Sequence, residues 1–192
     1  GELRDVTVMF TDIRGFTELT EKTEAQDMVR MLNEYFEIIV DVIFEHEGTV
    51  DKFMGDAVMA LWGTPVEVPD APRKALEAAV NIQKAMEAFN NLRSIDGLPP
   101  IYTGIGIDSG EAVCGYMGST KTMSFTVVGD CVNTASRLCS KASAGQTLVS
   151  TLAYERGGSS VAGVQQEPLN LKGITQAVAN WSIEGMLQPE EP

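Results

Sequence analysis

The 192-residue chain is 44% hydrophobic and 21% charged, enough for one well-filled core and short for two. Its formal charge of −13 repels nucleic acid and anionic lipid over most of the surface, so a phosphate-bearing ligand must be held by metal ions, a few placed cations or backbone amides. No apolar run approaches the ~20 residues of a bilayer span, and Cys114, Cys131 and Cys139 form no CxxC pair; the expectation is a soluble, cytoplasmic domain without nucleic-acid partners or direct membrane contact.

Residues 6–10 are a β-branched and apolar run ending at Thr11-Asp12, the pattern of a buried strand that delivers Asp12 to a loop. Gly15 follows, and from Ala25 the apolar positions Met28, Leu32, Tyr35, Phe36, Ile39 and Ile43 share one helical face. Gly48 closes that helix. Two short strands, Thr49–Met54 and Ala57–Trp62, then flank Gly55-Asp56, which puts Asp56 at a hairpin tip.

Gly63, Pro65, Pro69 and Pro72 mark a loop before a second helical stripe at Leu76, Ala79, Ile82, Met86 and Phe89. Beyond Pro99-Pro100, residues 101–107 and 111–116 read as strands of a hairpin around Asp108-Ser109-Gly110. A polar stretch at 118–124 leads to a strand at 125–128, and Gly129-Asp130 opens a helix carrying Val132, Ala135 and Leu138. From Gln146 onward, short strands and a turn of helix surround Leu171-Lys172-Gly173.

The order β-α-β-β-α-β-β, with further α and β elements after it, predicts an α+β domain. Its expected form is a ferredoxin-like, antiparallel-rich sheet with helices packed on one face and a C-terminal α/β extension. Residues 1–187 are read as a single domain and 188–192 as a disordered tail. The methionines and His46 read as packing or surface residues.

Asp12 and Asp56 are far apart in sequence, yet both fall where a strand ends near glycine. Paired carboxylates suit hard divalent cations, which take oxygen ligands and complete their shells with phosphate. Each also has an ordinary reading, as a helix cap and as a turn residue. Gly15 lets the backbone approach a ligand, and amides opening toward a helix can accept an oxyanion. Asn133 and Arg137 are four residues apart and share a helix face, which could equally be a solvated polar face with Asp130 as its cap.

Three strings decide between these readings: FTDIRGFT at 10–17, DKFMGDAVMALWG at 51–63 and FTVVGDCVNTASR at 125–137. Together and in this order they resemble the class III nucleotidyl cyclases, over roughly residues 6–181. The resemblance implies a head-to-tail homodimer with active sites between subunits. Asp12, Asp56 and the Ile13 carbonyl would hold two divalent ions, Mg2+ or Mn2+, with Ca2+ admissible at one site. The amides of Gly15, Phe16 and Thr17 would hold phosphates. Lys52 and Thr126 match the purine-contacting positions, Asn133 the residue that orients the ribose, and Arg137 the arginine that stabilises the transition state. Lys172 matches the lysine that meets the terminal phosphates, although Gly173-Ile174-Thr175 departs from the commoner Gly-Lys-Gly.

Lysine is a donor only, so it satisfies adenine N1 and could also reach guanine O6; a threonine hydroxyl donates or accepts. Family members that prefer ATP commonly carry Lys with Asp or Thr, and those that prefer GTP carry Glu with Cys. Lys52 and Thr126 therefore resemble an adenylyl cyclase, with ATP as substrate and cyclic AMP as product. The threonine variant also resembles a branch that responds to bicarbonate. The rival readings are a guanylyl cyclase and a silent dimerising module. A silent module has no chemical need for Asp12, Asp56, Asn133 and Arg137 together. Regulatory or sensor domains are expected elsewhere in a longer parent chain, which could be membrane-attached.

Overall fold

A computed structural model of the protein describes residues 1–188. Its elements are β1 (Glu2–Ile13), α1 (Phe16–Lys22), α2 (Ala25–Glu45), β2 (Thr49–Met54), β3 (Ala57–Trp62), α3 (Ala71–Ile95), β4 (Thr103–Gly118), β5 (Met123–Val128), α4 (Asp130–Lys141), β6 (Thr147–Ser150), α5 (Thr151–Gly157), β7 (Val161–Leu169) and β8 (Val178–Met186). The strands join in one sheet of order β2-β3-β1-β4-β6-β8-β7, in which only β4 and β6 run parallel. β5 pairs with the outer half of β4, from Val113 to Gly118, and the ribbon they form runs past the start of β1. Apart from Gln188, the expected tail lies outside the described residues.

The continuous apolar run of β1 arises because both of its faces are buried. Met9 and Ile13 pack under Tyr35, Ile39 and Ile43 of α2 and Leu76, Ile82 and Met86 of α3. Val6, Val8 and Phe10 point the other way, into a second cluster with Cys131, Ala135 and Cys139 of α4. So α2, α3 and α5 share the face expected for the helices, while α4 covers the opposite one. α4 approaches closely enough to require glycine at 106, where a Cβ would lie 2.2 Å from the Ala135 carbonyl oxygen and the Cys139 amide nitrogen.

The hairpin expected at 108–110 is absent. Residues 103–118 form one 16-residue strand, and Asp108, Ser109 and Gly110 pair with Val8, Thr7 and Val6 of β1. A turn signal loses its force when the interior satisfies its polar groups. Here Ser109 Oγ and Thr7 Oγ1 are 2.8 Å apart, and Asp108 Oδ1 accepts from the Ser109 amide at 2.8 Å and from Ser150 Oγ at 2.5 Å. β1 also begins before the predicted apolar run, and α1 is an element that the apolar pattern did not mark.

Burial pushes the Asp108 carboxyl above its ordinary range, against the lowering effect of these two donors and of Arg156. A raised folded-state pKa gives a contribution fully present below the unfolded value and lost as pH rises through the folded one. Both hydrogen bonds land on Oδ1, which asparagine retains. Asp108→Asn is therefore expected to melt higher relative to wild type at about pH 7 than at about pH 4. Thermal melts at the two values check it, and a larger relative gain at acid pH would contradict it.

Candidate active site

The antiparallel pairing of β1 with β3 matches Thr11 to Val58, so the hairpin tip just before β3 comes alongside the end of β1. There the Ile13 amide donates to Asp56 Oδ2 at 2.8 Å. Gly55 takes φ 63, the left-handed conformation that lets the tip turn so tightly. The end of β1 that carries Asp12 and the hairpin tip that carries Asp56 are thus joined directly.

The backbone behind Asp12 is fixed from the core. Thr103 Oγ1 donates to the Asp12 carbonyl at 2.7 Å and so accepts from the Tyr35 hydroxyl, 2.9 Å away. Tyr35 is fully buried, and burial lifts its phenol to about 12, so it stays a neutral donor. On its side-chain end Asp12 is paired through Oδ1 with the Arg14 guanidinium. Gly15, at φ 69, swings the chain into α1, whose Phe16 and Thr17 amides precede the first helical bond, from Leu19 N to Gly15 O at 3.0 Å.

These features fit a divalent cation. Asp12 at the end of β1 and Asp56 at the β2–β3 tip are hard oxygen donors, and the Ile13–Asp56 hydrogen bond joins the segments that carry them. Among the described residues no cluster of three or more His, Cys, Asp or Glu side chains could hold an ion alone. An ion here would draw its remaining ligands from backbone carbonyl, water and a bound polyphosphate, as magnesium commonly does.

The other predicted residues are not brought to this point. Lys52 lies on edge strand β2, at a bulge between Val50 and Lys52 that interrupts the ladder to β3. The Asp51 carboxylate beside it is buried, with Oδ2 3.3 Å from Lys52 Nζ and no hydrogen bond of its own. Thr126 sits on β5 opposite Gly115 and donates to the Ser124 carbonyl at 3.2 Å. Asn133 is exposed and Arg137 half-buried, on the side of α4 facing away from Cys131, Thr134, Ala135, Leu138 and Cys139. Neither forms an ion pair or side-chain hydrogen bond among the described residues. Lys172 is exposed in the turn between β7 and β8, next to buried Leu171.

One chain thus holds two separate groups. Asp12, Ile13, Gly15 and Asp56 converge; Lys52, Thr126, Asn133, Arg137 and Lys172 have no hydrogen bond or ion pair to them among the described residues. Sequence reading missed Arg14, Thr103, Tyr35 and Asp51 as supports of the site. Arg14 and Asp51 lie within the recognised strings and could have been found by adjacency. Thr103 and Tyr35 carry no local signal.

Comparison with known proteins identifies the family. The family model described as the adenylate and guanylate cyclase catalytic domain matches residues 1–185. Adenylate cyclase 1 of Rhizobium meliloti is 40% identical over 135 residues, 70% of this chain and 20% of that protein. Adenylate cyclase of Anabaena cylindrica is 41% identical over 139 residues, 70% of this chain and 27% of that one. The chain therefore matches only a minor part of the length of these relatives. Among solved structures, the guanylyl cyclase Cya2 superposes with TM-score 0.91 at 35% identity, covering 99% of this chain and 96% of that one. The adenylyl cyclase CyaB from P. aeruginosa does so with TM-score 0.91 at 30% identity, covering 95% of each. With its three strings in order, its sheet and its nearly complete match to the family model, the chain belongs to the class III adenylate and guanylate cyclase catalytic domains.

Proposed function

We propose that the domain converts ATP into 3′,5′-cyclic AMP and pyrophosphate at two equivalent sites, each shared between two copies of the chain. The observation that carries this is the separation just described: the acidic end of β1 and the purine, ribose and phosphate residues are all present but do not meet within one chain. A second copy placed head to tail supplies the missing half to each. Phe53 and Met54 on the β2–β3 hairpin, with Tyr116, Met123 and Val128 on the β4–β5 ribbon, are exposed apolar side chains that such a copy would cover.

In this reading Asp12, Asp56 and the Ile13 carbonyl hold two divalent ions. Bound there, such ions would supply positive charge to the ribose 3′-oxygen and to the pyrophosphate oxygens. The amides of Gly15, Phe16 and Thr17 receive the β and γ phosphates, with Lys172 of the opposite copy at their outer end. Asn133 orients the ribose so that the 3′-oxygen faces the α phosphate. Arg137 meets the charge that grows on that phosphate as the new bond forms.

Base choice falls to Lys52 and Thr126. The likeness of fold does not select a purine, because an adenylyl and a guanylyl cyclase superpose equally well. Lys52 donates to adenine N1, and Thr126 accepts from the adenine amino group. Asp51 keeps the ammonium near the strand. Asp51→Asn is expected to raise KM for ATP several-fold with kcat little changed, since it loosens ground-state and transition-state binding alike. Steady-state kinetics with ATP check this, and a fall in kcat at unchanged KM would contradict it.

The decisive assay incubates the purified domain with Mg2+ or Mn2+ and each purine triphosphate over a protein concentration series. Cyclic AMP should form from ATP faster than cyclic GMP forms from GTP, and rate should rise more steeply than linearly where dimers are weak. A preference for GTP would make the domain a guanylyl cyclase, and absence of either product would make it a silent module. The Thr126 variant also motivates a bicarbonate response, which unchanged turnover on added bicarbonate at fixed pH and ionic strength would exclude. We take residues 1–187 as one catalytic unit of a longer, cytoplasmic-facing regulated protein.

A further inference from the structure

Arg14 links Asp12 to the C-terminal end of α4, the helix that carries Asn133 and Arg137. One end of its guanidinium pairs with Asp12 Oδ1. The other donates through Nη1 to the carbonyls of Ala142 at 3.0 Å and Ser140 at 3.3 Å. Those carbonyls end α4, where no further helical turn follows to bond them. The side chain is held flat over Gly104, the residue opposite Asp12 in the β1–β4 ladder, where a Cβ would come 3.0 Å from Arg14 Cζ. Arg14 Nε is buried without a hydrogen bond, so the guanidinium is held only at its two ends, by the Asp12 carboxylate and by the α4 carbonyls, and a divalent cation at the carboxylate would displace it.

We infer that Arg14 is a positioning residue that ties the metal-binding end of β1 to the C-terminal end of α4, and so couples the two shared sites of the dimer. The inference rests on the shared-site assignment above. Asp12 serves one site, whereas Asn133 and Arg137 on the same chain's α4 serve the other. A divalent ion and the Arg14 guanidinium compete for the same oxygen, and the guanidinium cannot escape by losing its proton. Ion binding at the first site frees Arg14 from Asp12, loosens its hold on Ser140 and Ala142, and lets the end of α4 relax in the second.

The test uses Mn2+ alone, without nucleotide. Free ion is followed by electron paramagnetic resonance, and hydrogen exchange is read at the Ala142 amide, which bonds Leu138 O at 3.0 Å. Wild type should exchange Ala142 faster once Mn2+ is bound. Arg14→Gln should bind Mn2+ about tenfold tighter, having lost the competing charge, and should exchange Ala142 fast with or without the ion. Arg14→Lys keeps the charge but cannot bridge both carbonyls, so its Mn2+ affinity should stay near wild type while Ala142 exchanges faster. Asp12→Asn is the control: if it binds Mn2+ as wild type does, the metal assignment fails and this inference falls with it. If Asp12→Asn loses Mn2+ while Arg14→Gln changes neither affinity nor exchange, the coupling role alone is overturned. Should the Arg14 variants not fold, the wild-type arm decides, because unchanged Ala142 exchange at saturating Mn2+ also overturns it.

Discussion

Arg137→Ala is expected to lower kcat by roughly 10²-fold or more while KM for ATP moves little. The reason is where its charge is spent. Arg137 sits half-buried on the outer side of α4, without an ion pair or side-chain hydrogen bond among the described residues, so it does not hold the fold together. A guanidinium is permanently charged and planar, suited to the oxygens of a phosphate that gains charge only as the reaction proceeds. Interactions made only then appear in kcat rather than in binding. Thermal stability of the variant should stay within about 0.5 kcal/mol of wild type, as for surface substitutions without internal partners. Arg137→Lys should recover only part of the rate, because a point charge cannot reproduce the fork. Steady-state kinetics with ATP and Mn2+, beside a melting curve, check both. A kcat within about threefold of wild type at unchanged stability would mean that another group stabilises the transition state.

What could be read from the sequence follows the range of the interactions involved. The β2–β3 hairpin was legible to the residue because a short-range turn signal, Gly55-Asp56, coincides with the alternation on either side. Asp12 could be placed at a strand end for the same reason. That Asp12 and Asp56 lie side by side follows from the β1–β3 register, a long-range pairing that no local pattern encodes. The misread hairpin at 108–110 shows the converse: Asp-Ser-Gly has strong local turn chemistry, which the partners Thr7 and Ser150 override from elsewhere in the chain. Likewise the supports of the site are contacts across great sequence distance, Thr103 to Asp12 across 91 residues and Arg14 to Ala142 across 128. Lys52, Thr126, Asn133, Arg137 and Lys172 had only a family resemblance to mark them. In a single chain they look like ordinary surface positions because the partner that gives them a purpose is another copy.

Mixing Asp12→Ala with Arg137→Ala, each nearly inactive by itself, is expected to restore activity. If the acidic group and the arginine of one active site came from one chain, no mixture of these variants could assemble an intact site. If they come from two chains, the hybrid dimer has one site lacking both groups and one lacking neither. Random exchange makes half of the dimers hybrid, with one working site in two, so turnover should approach about a quarter of the wild-type value per chain. Recovery should need time or dilution for subunits to exchange, and should vanish when each variant is cross-linked as a homodimer before mixing. The prediction is independent of purine preference and of the role given to Arg14, because it concerns only which chain supplies which group. Hybrid dimers demonstrated by differential labelling, yet inactive, would place each active site within one subunit and remove the need for a second copy.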